Sequence, residues 1–229
     1  MTARTPGRAF LAAEFAVLFI CGPLAVAWWL PKRLLIPSIA VFGLFALTML
    51  LIDPRFDRRQ LWNARRMKPE LPRMIALAVF AMLVVTGVVW AADPSILGSL
   101  VRERPVLWAA IMIGYPLASV YPQEIIYRAF IFHRYQRLFP STGVMIAVSA
   151  IAFGYAHIVL WNWLAVGSTF LGGILFAFTY ARTRSTAAAW VEHAVYGCFM
   201  FTVGLGQYFY GGAAERVSIT SAWSPANWL

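Results

Sequence analysis

Three short segments inside apolar stretches carry side chains that are capable of acid–base chemistry. They read QEIIYR at 123–128, FGYAH at 153–157 and HAVYG at 193–197. An ionisable group in hydrocarbon costs about 2.5–3.5 kcal/mol on insertion scales, so it is retained mainly where it is paired or functional. Glu124, His157 and His193 are therefore candidate catalytic residues. Arg128 lies one helical turn after Glu124, where it can hold the carboxylate.

Helix geometry gives a reason to place Glu124 and His157 together. They lie at nearly equal distances along the chain from Pro140, where a turn is expected. Two antiparallel helices that leave one turn reach equal depth after equal numbers of residues. His193 follows in the next apolar segment, so the sequence predicts one polar centre within the membrane. A structural role for the Glu124–Arg128 pair alone remains an equally good interpretation.

Composition determines the class of fold that must position these groups. The chain has 229 residues, of which 61% are hydrophobic and 12% charged. Soluble domains carry about 25% charged residues. We therefore expect an all-α, polytopic transmembrane helical bundle with about seven spans, between six and eight. A net charge of +10 is explained by cytoplasmic loops and anionic headgroups, so no nucleic-acid partner is expected.

The apolar runs predict the spans 9–30, 35–52, 72–92, 105–139, 143–160, 163–181 and 186–209. The arginine-rich loop 53–73 indicates a cytoplasmic N-terminus, and the composition favours a bacterial inner membrane. Segment 105–139 contains Pro116 and Pro122. Charge bias favours one crossing with a kink over two crossings. We expect one integral membrane domain over 1–229, with accessory helices in 1–104 and a catalytic core in 105–209.

The three segments together resemble a known family, the CAAX-processing and bacteriocin-processing intramembrane endopeptidases. Its pattern is Glu-Glu-x-x-x-Arg, then Phe-x-x-x-His, then His-x-x-x-Asn. The resemblance implies a metal-free glutamic protease without a cofactor, with a membrane lipid environment and a substrate bearing a hydrophobic or lipidated tail. It implies that His157 helps to activate water, that His193 stabilises the oxyanion, and that Arg128 supports Glu124. The number of subunits is left open.

Two positions depart from that pattern, because Gln123 replaces the first glutamate and Gly197 replaces the asparagine. An amide neither takes up nor releases a proton near neutral pH, so Gln123 cannot be a general base. We therefore expect Glu124 to serve as the base, oriented by Gln123. A glutamate-to-glutamine replacement introduced into the sequence and a catalytically silent relative are the alternatives. Tyr127, Tyr196 or the backbone near Gly197 are candidates to replace the asparagine.

Other functions fit the same residues. A zinc protease is one, since one carboxylate and two histidines make a three-ligand site with an open position for water. A non-enzymatic immunity or partner protein and a proton-coupled transporter are others, although no inverted repeat is visible. The substrate and its cleavage position do not follow from the sequence.

Overall fold

The computed structural model describes residues 6–209, which contain helices and no β-strand. Apart from short 3₁₀ turns in the connecting segments, the helices of that range are α1 Arg8–Trp29, α2 Lys32–Ile52, α3 Ala64–Ala92, α4 Ser99–Glu103, α5 Pro105–Arg134, α6 Thr142–Leu160, α7 Trp163–Thr183 and α8 Thr186–Val203. Within the described range, six of them (α1, α2, α3, α5, α6 and α7) are long and apolar enough to cross a membrane. The predicted all-α polytopic bundle is therefore confirmed. The predicted seventh span corresponds to α8, which has 18 residues but is not among the helices apolar enough to be candidate spans.

Helix α5 runs without interruption through both prolines that made its segment ambiguous. The chain widens into π-helix at Pro116–Val120 and again at Ile125–Phe130. A proline ring removes one backbone N–H and crowds the preceding turn, and a wider turn accommodates both effects. One continuous 30-residue helix supports a single crossing. The irregularity that the structure describes in this segment is two π-helical stretches, and the predicted kink near Pro122 stays a prediction.

Short capped turns orient the last three helices. Asn162 begins α7 by accepting hydrogen bonds from the backbone N–H groups of Leu164 (2.9 Å) and Ala165 (3.3 Å). Ser185 begins α8 in the same way, accepting from Ala188 N–H at 3.2 Å. Such caps satisfy N–H groups that a helix start leaves free. Because the two turns are tight, α6, α7 and α8 follow one another as neighbours.

Glycines allow very close packing around the polar centre. A Cβ at Gly154 of α6 would lie 2.8 Å from Cβ of Phe170 in α7. A Cβ at Gly43 of α2 would lie 2.8 Å from Cβ of Pro122 in α5. Both separations are too short for any side chain, so glycine is required for these backbones to approach. These contacts fix α6 and α5 beside their neighbours close to His157 and Glu124.

Ion pairs tie the N-terminal helices to the rest of the bundle. Arg134 at the end of α5 binds Glu14 of α1 with an Nη2–Oε2 distance of 2.7 Å. Arg182 at the end of α7 binds Glu70 of α3 with an Nε–Oε1 distance of 2.6 Å. The N-terminal helices thus contact the C-terminal ends of α5 and α7. The most continuously buried part of the bundle is on α5, where every residue of 123–132 is buried.

Candidate functional site

Glu124 and His193 are in direct contact. Nδ1 of His193, on α8, lies 2.8 Å from Oε1 of Glu124, on α5. A carboxylate accepts hydrogen bonds and does not donate them when ionised, so Nδ1 carries the proton of this bond. Glu124 is fully buried and His193 is 5% exposed. The pair is therefore shielded from solvent, and the carboxylate sets the orientation of the imidazole ring.

Arg128 supplies the positive charge that balances this carboxylate. Its Nε lies 3.2 Å from Oε2 of Glu124, and both side chains are fully buried. All three guanidinium nitrogens lack a hydrogen-bond partner among the described residues. The guanidinium carbon instead lies over the Phe153 ring at 4.5 Å and over the Phe176 ring at 5.6 Å. Charge and aromatic faces together hold the cation, as in cation–π contacts.

Phe153 lies at the centre of the polar residues. Its ring centroid is 4.8 Å from the His157 ring and 5.3 Å from the His193 ring, both in edge-to-face geometry. Phe176 of α7 stacks on His193 at 4.5 Å with an interplanar angle of 13°. The aromatic rings therefore bring both histidines and Arg128 into one cluster. Within it, Glu124 is hydrogen-bonded to His193 and ion-paired with Arg128.

His157 has a defined tautomer. It lies where α6 tightens into 3₁₀-helix at His157–Leu160, and its Nδ1 is 2.8 Å from the carbonyl oxygen of Phe153. A carbonyl only accepts hydrogen bonds, so Nδ1 must carry the hydrogen. The neutral ring then has its lone pair on Nε2. His157 is only partly buried, and its one described hydrogen bond uses Nδ1, not Nε2.

Three of the supporting residues predicted from the sequence, Gln123, Tyr127 and Tyr196, differ in their contacts. Gln123 is buried and donates from its amide nitrogen to Oγ of Ser119 at 2.7 Å, so it does not orient Glu124 through that group. Tyr127 packs its ring against Phe153 at 5.2 Å. The Tyr196 hydroxyl is buried and has no hydrogen-bond partner in the described part of the chain.

Two residues of the site were missed by the sequence analysis. Phe176 carries no signal beyond its place in an apolar helix. Tyr115 lies on α5 with its hydroxyl 3.4 Å from Nε2 of His193, at the ring nitrogen opposite to the one that Glu124 contacts. Nine residues separate Tyr115 from Glu124, which in a regular α-helix places them on opposite faces. The intervening π-helix at Pro116–Val120 changes that relation.

The rival chemistries find less support in this arrangement. Within residues 6–209 no group of three His, Cys, Asp or Glu side chains comes close enough to hold a metal ion. The carboxylate of a zinc site would also have to leave Arg128. For a serine nucleophile, Ser149 is buried and donates to the carbonyl of Tyr127 at 2.8 Å, away from His157.

Comparison with known proteins gives one family match. Residues 105–199 match the family described as type II CAAX prenyl endopeptidase Rce1-like. The matched range contains all three motifs, and the resemblance predicted from them is confirmed. Comparisons with curated proteins and with solved structures gave no match.

Proposed function

We propose that this protein is an intramembrane endopeptidase, the activity suggested by its family match over residues 105–199, and that it uses a metal-free mechanism. The residues that carry this mechanism are His157 and His193, with Glu124 acting on His193. The substrate is a protein or peptide with a hydrophobic or lipidated tail, which partitions into the bilayer beside the site. Six apolar helices make the protein an integral membrane protein.

In this mechanism His157 activates the water. Its Nε2 lone pair takes a proton from water as the water oxygen attacks the carbonyl carbon of the scissile bond. The same proton then passes to the leaving amine nitrogen, the C–N bond breaks, and an acid and an amine result. His157 is favoured for this step because its Nδ1–H is fixed by the carbonyl of Phe153 and the residue is only partly buried. Glu124, expected from the sequence to be the base, already has Oε1 bonded to His193 and Oε2 beside Arg128.

Glu124 acts through His193 in this scheme. A negative carboxylate at Nδ1 stabilises the positive, doubly protonated form of the His193 ring, whose Nε2–H can then donate to the developing oxyanion. Arg128 and Glu124 cancel each other's charge before the reaction begins. The imidazolium charge is therefore left to complement the oxyanion in a site of low dielectric.

One observation carries the proposal. The rings of His157 and His193 both pack against the Phe153 ring, but their Nδ1 atoms have different partners. Nδ1 of His157 bonds to a backbone carbonyl, and Nδ1 of His193 bonds to the buried carboxylate of Glu124. A neutral base and a stabilised cation suit two steps of amide hydrolysis without metal, the activation of water and the stabilisation of the oxyanion. A cluster with a purely structural role would not require the two histidines to have different Nδ1 partners.

We also propose that 105–209 forms the catalytic core, that 1–104 supplies accessory helices, and that the N-terminus is cytoplasmic in a bacterial inner membrane. The pairs Glu14–Arg134 and Glu70–Arg182 support an accessory role, since they connect α1 and α3 to the ends of α5 and α7. The basic loop 53–73 supports the orientation.

The test is cleavage by the purified protein in vesicles of phosphatidylethanolamine and phosphatidylglycerol. Two fluorogenic peptides are compared, one with a farnesylated cysteine near its C-terminus and one without the lipid, and products are identified by mass spectrometry. We expect cleavage of the lipidated peptide by the wild type and none by His157→Asn or His193→Gln. Absence of cleavage of both peptides, or unchanged cleavage by either variant, contradicts the proposed function.

A further inference from the structure

The space beside Gly197 is filled by a side chain from another helix. Gly197 lies one turn after His193 on α8. A Cβ placed on it would lie 2.5 Å from both the hydroxyl oxygen and Cε1 of Tyr115. No side chain fits at that distance, so the position of the Tyr115 ring depends on glycine at 197. The two residues are spatially coupled, although they lie on α5 and α8.

The hydroxyl that occupies this space is directed at the catalytic cluster. Its oxygen is 3.4 Å from Nε2 of His193, and the two rings meet nearly at right angles with centroids 6.4 Å apart. Phe201 supports the other part of the phenol ring at 5.2 Å. Nε2 is the nitrogen of His193 that Glu124 leaves free. The hydroxyl therefore lies at the edge of the ring where the proposed mechanism places the oxyanion.

The protonation of His193 decides what the Tyr115 hydroxyl can do. Against a neutral ring the hydroxyl donates its single hydrogen to Nε2. Once the ring is doubly protonated, Nε2 becomes a donor and no longer accepts, so the hydroxyl hydrogen is released for another acceptor. In the doubly protonated state of His193 that the proposed mechanism uses, the hydroxyl hydrogen is therefore free to be donated to the substrate oxyanion.

We propose that Tyr115 is a catalytic residue that donates a hydrogen bond to the oxyanion beside His193, and that Gly197 is a positioning residue that makes room for it. The proposal rests on the proposed function. The phenol of Tyr115, on α5, would occupy the space in which a polar side chain at position 197 of α8 would otherwise lie. No bond to Tyr115 forms or breaks, and the hydroxyl only stabilises the tetrahedral oxygen.

The first test removes one oxygen atom. Tyr115→Phe keeps the ring that fills the space at Gly197, and loss of one oxyanion donor typically lowers kcat by about 10²–10³-fold. With the farnesylated peptide we expect that loss in kcat with little change in KM or in the thermal unfolding midpoint. Tyr121→Phe is the matched control, because Tyr121 is on the same helix and its hydroxyl also makes one 3.4 Å contact, to the carbonyl of Leu61. It should keep wild-type kcat.

The second test exchanges the donor between helices. Tyr115→Ala empties the space, and Gly197→Asn then places an amide donor in it, one turn from His193. We expect the double variant to recover at least about 10-fold in kcat over Tyr115→Ala, which is part of the roughly 10²–10³-fold that one oxyanion donor contributes. Gly197→Asn alone should lose activity, because Tyr115 blocks the new side chain.

Failure of this proposal differs from failure of the proposed function. If Tyr115→Phe keeps kcat within about threefold while His157→Asn is inactive, the role of Tyr115 is wrong and the peptidase stands. A fall in kcat that is accompanied by a clear fall in the thermal unfolding midpoint of Tyr115→Phe also overturns it. A readout without substrate is the ¹⁵N signal of His193 Nε2, which should shift in Tyr115→Phe and not in Tyr121→Phe. An unshifted signal overturns the proposal whatever peptide is cleaved.

Discussion

Oε1 of Glu124 and Nδ1 of His193 lie 2.8 Å apart, in a hydrogen bond that joins α5 to α8 out of reach of solvent. The other carboxylate oxygen faces Arg128 at 3.2 Å. A single buried carboxylate thus connects a permanent cation to a ring that changes its charge. Changes at any of the three residues should therefore affect the other two.

The first prediction concerns the charge balance of this group. Glu124→Gln leaves the buried Arg128 cation without its counter-charge, and breaking a buried pair in this way costs about 3–5 kcal/mol. We expect a large fall in the thermal unfolding midpoint in detergent and complete loss of cleavage. Adding Arg128→Met should restore most of the stability without restoring activity, because the apolar side chain still packs on Phe153. A Glu124→Gln protein as stable as the wild type would contradict a charged pair.

The second prediction separates the base from its support. His157→Asn retains an N–H that can donate to the carbonyl of Phe153 but offers no group basic enough to take up a proton. Loss of a general base lowers kcat by about 10²–10⁴-fold. We expect that loss with an unchanged unfolding midpoint. His133→Asn is the control, since His133 binds Asp53 near the end of α5 and not the cluster. Cleavage by His157→Asn at the wild-type rate would refute the assignment.

The third prediction concerns metal. Because Glu124 is held by Arg128 and His193, cleavage should persist after incubation with a strong chelator and should not rise on addition of zinc. Activity is measured on dialysed protein with the farnesylated peptide. Loss of cleavage that zinc alone restores would support the zinc protease and sink the metal-free mechanism.

The fourth prediction tests the contact between α6 and α7. Gly154→Ala puts a Cβ against Cβ and Cα of Phe170, at 2.8 and 3.0 Å, and overpacking of this kind costs about 1–3 kcal/mol. The displaced helix carries Phe153 and His157, so kcat should fall as well. Gly167→Ala on α7 is the matched control, because nothing lies within 4 Å of its Cβ position. It should be neutral or slightly stabilising. Equal unfolding midpoints for the two variants would contradict the packing argument.

The fifth prediction is a pH dependence at the loop after α2. Hydrogen bonds from Arg55 hold the pKa of Asp53 well below its usual range, and His133 adds to this effect. A lowered pKa means that stabilisation is present above the ordinary value of about 3.9 and is lost as pH falls toward the folded-state pKa. Asp53→Asn should therefore lower the unfolding midpoint slightly at pH 7, and the difference from wild type should shrink below about pH 4. If the difference in unfolding midpoint between wild type and Asp53→Asn grew on acidification, the lowered pKa of Asp53 would be contradicted.

The sequence by itself determined the class of fold and the identity of the polar residues. Long apolar runs require helices in a membrane, because only internal hydrogen bonding satisfies the backbone there. The cost of burying ionisable groups singled out Glu124, Arg128, His157 and His193. Spacing within one helix also predicted the Glu124–Arg128 pair, since positions four apart share a face.

Only the tertiary structure decided which of these groups touch across helices. Equal depth along a hairpin predicted Glu124 beside His157, but contact depends also on how each helix is rotated about its axis. That rotation is set by π-helical turns at the prolines and by glycines that admit close neighbours. The result is a carboxylate bonded to His193, a His157 ring held by the carbonyl of Phe153, and a Tyr115 hydroxyl in the space that Gly197 leaves. Such contacts between distant segments leave no periodic signal along the chain.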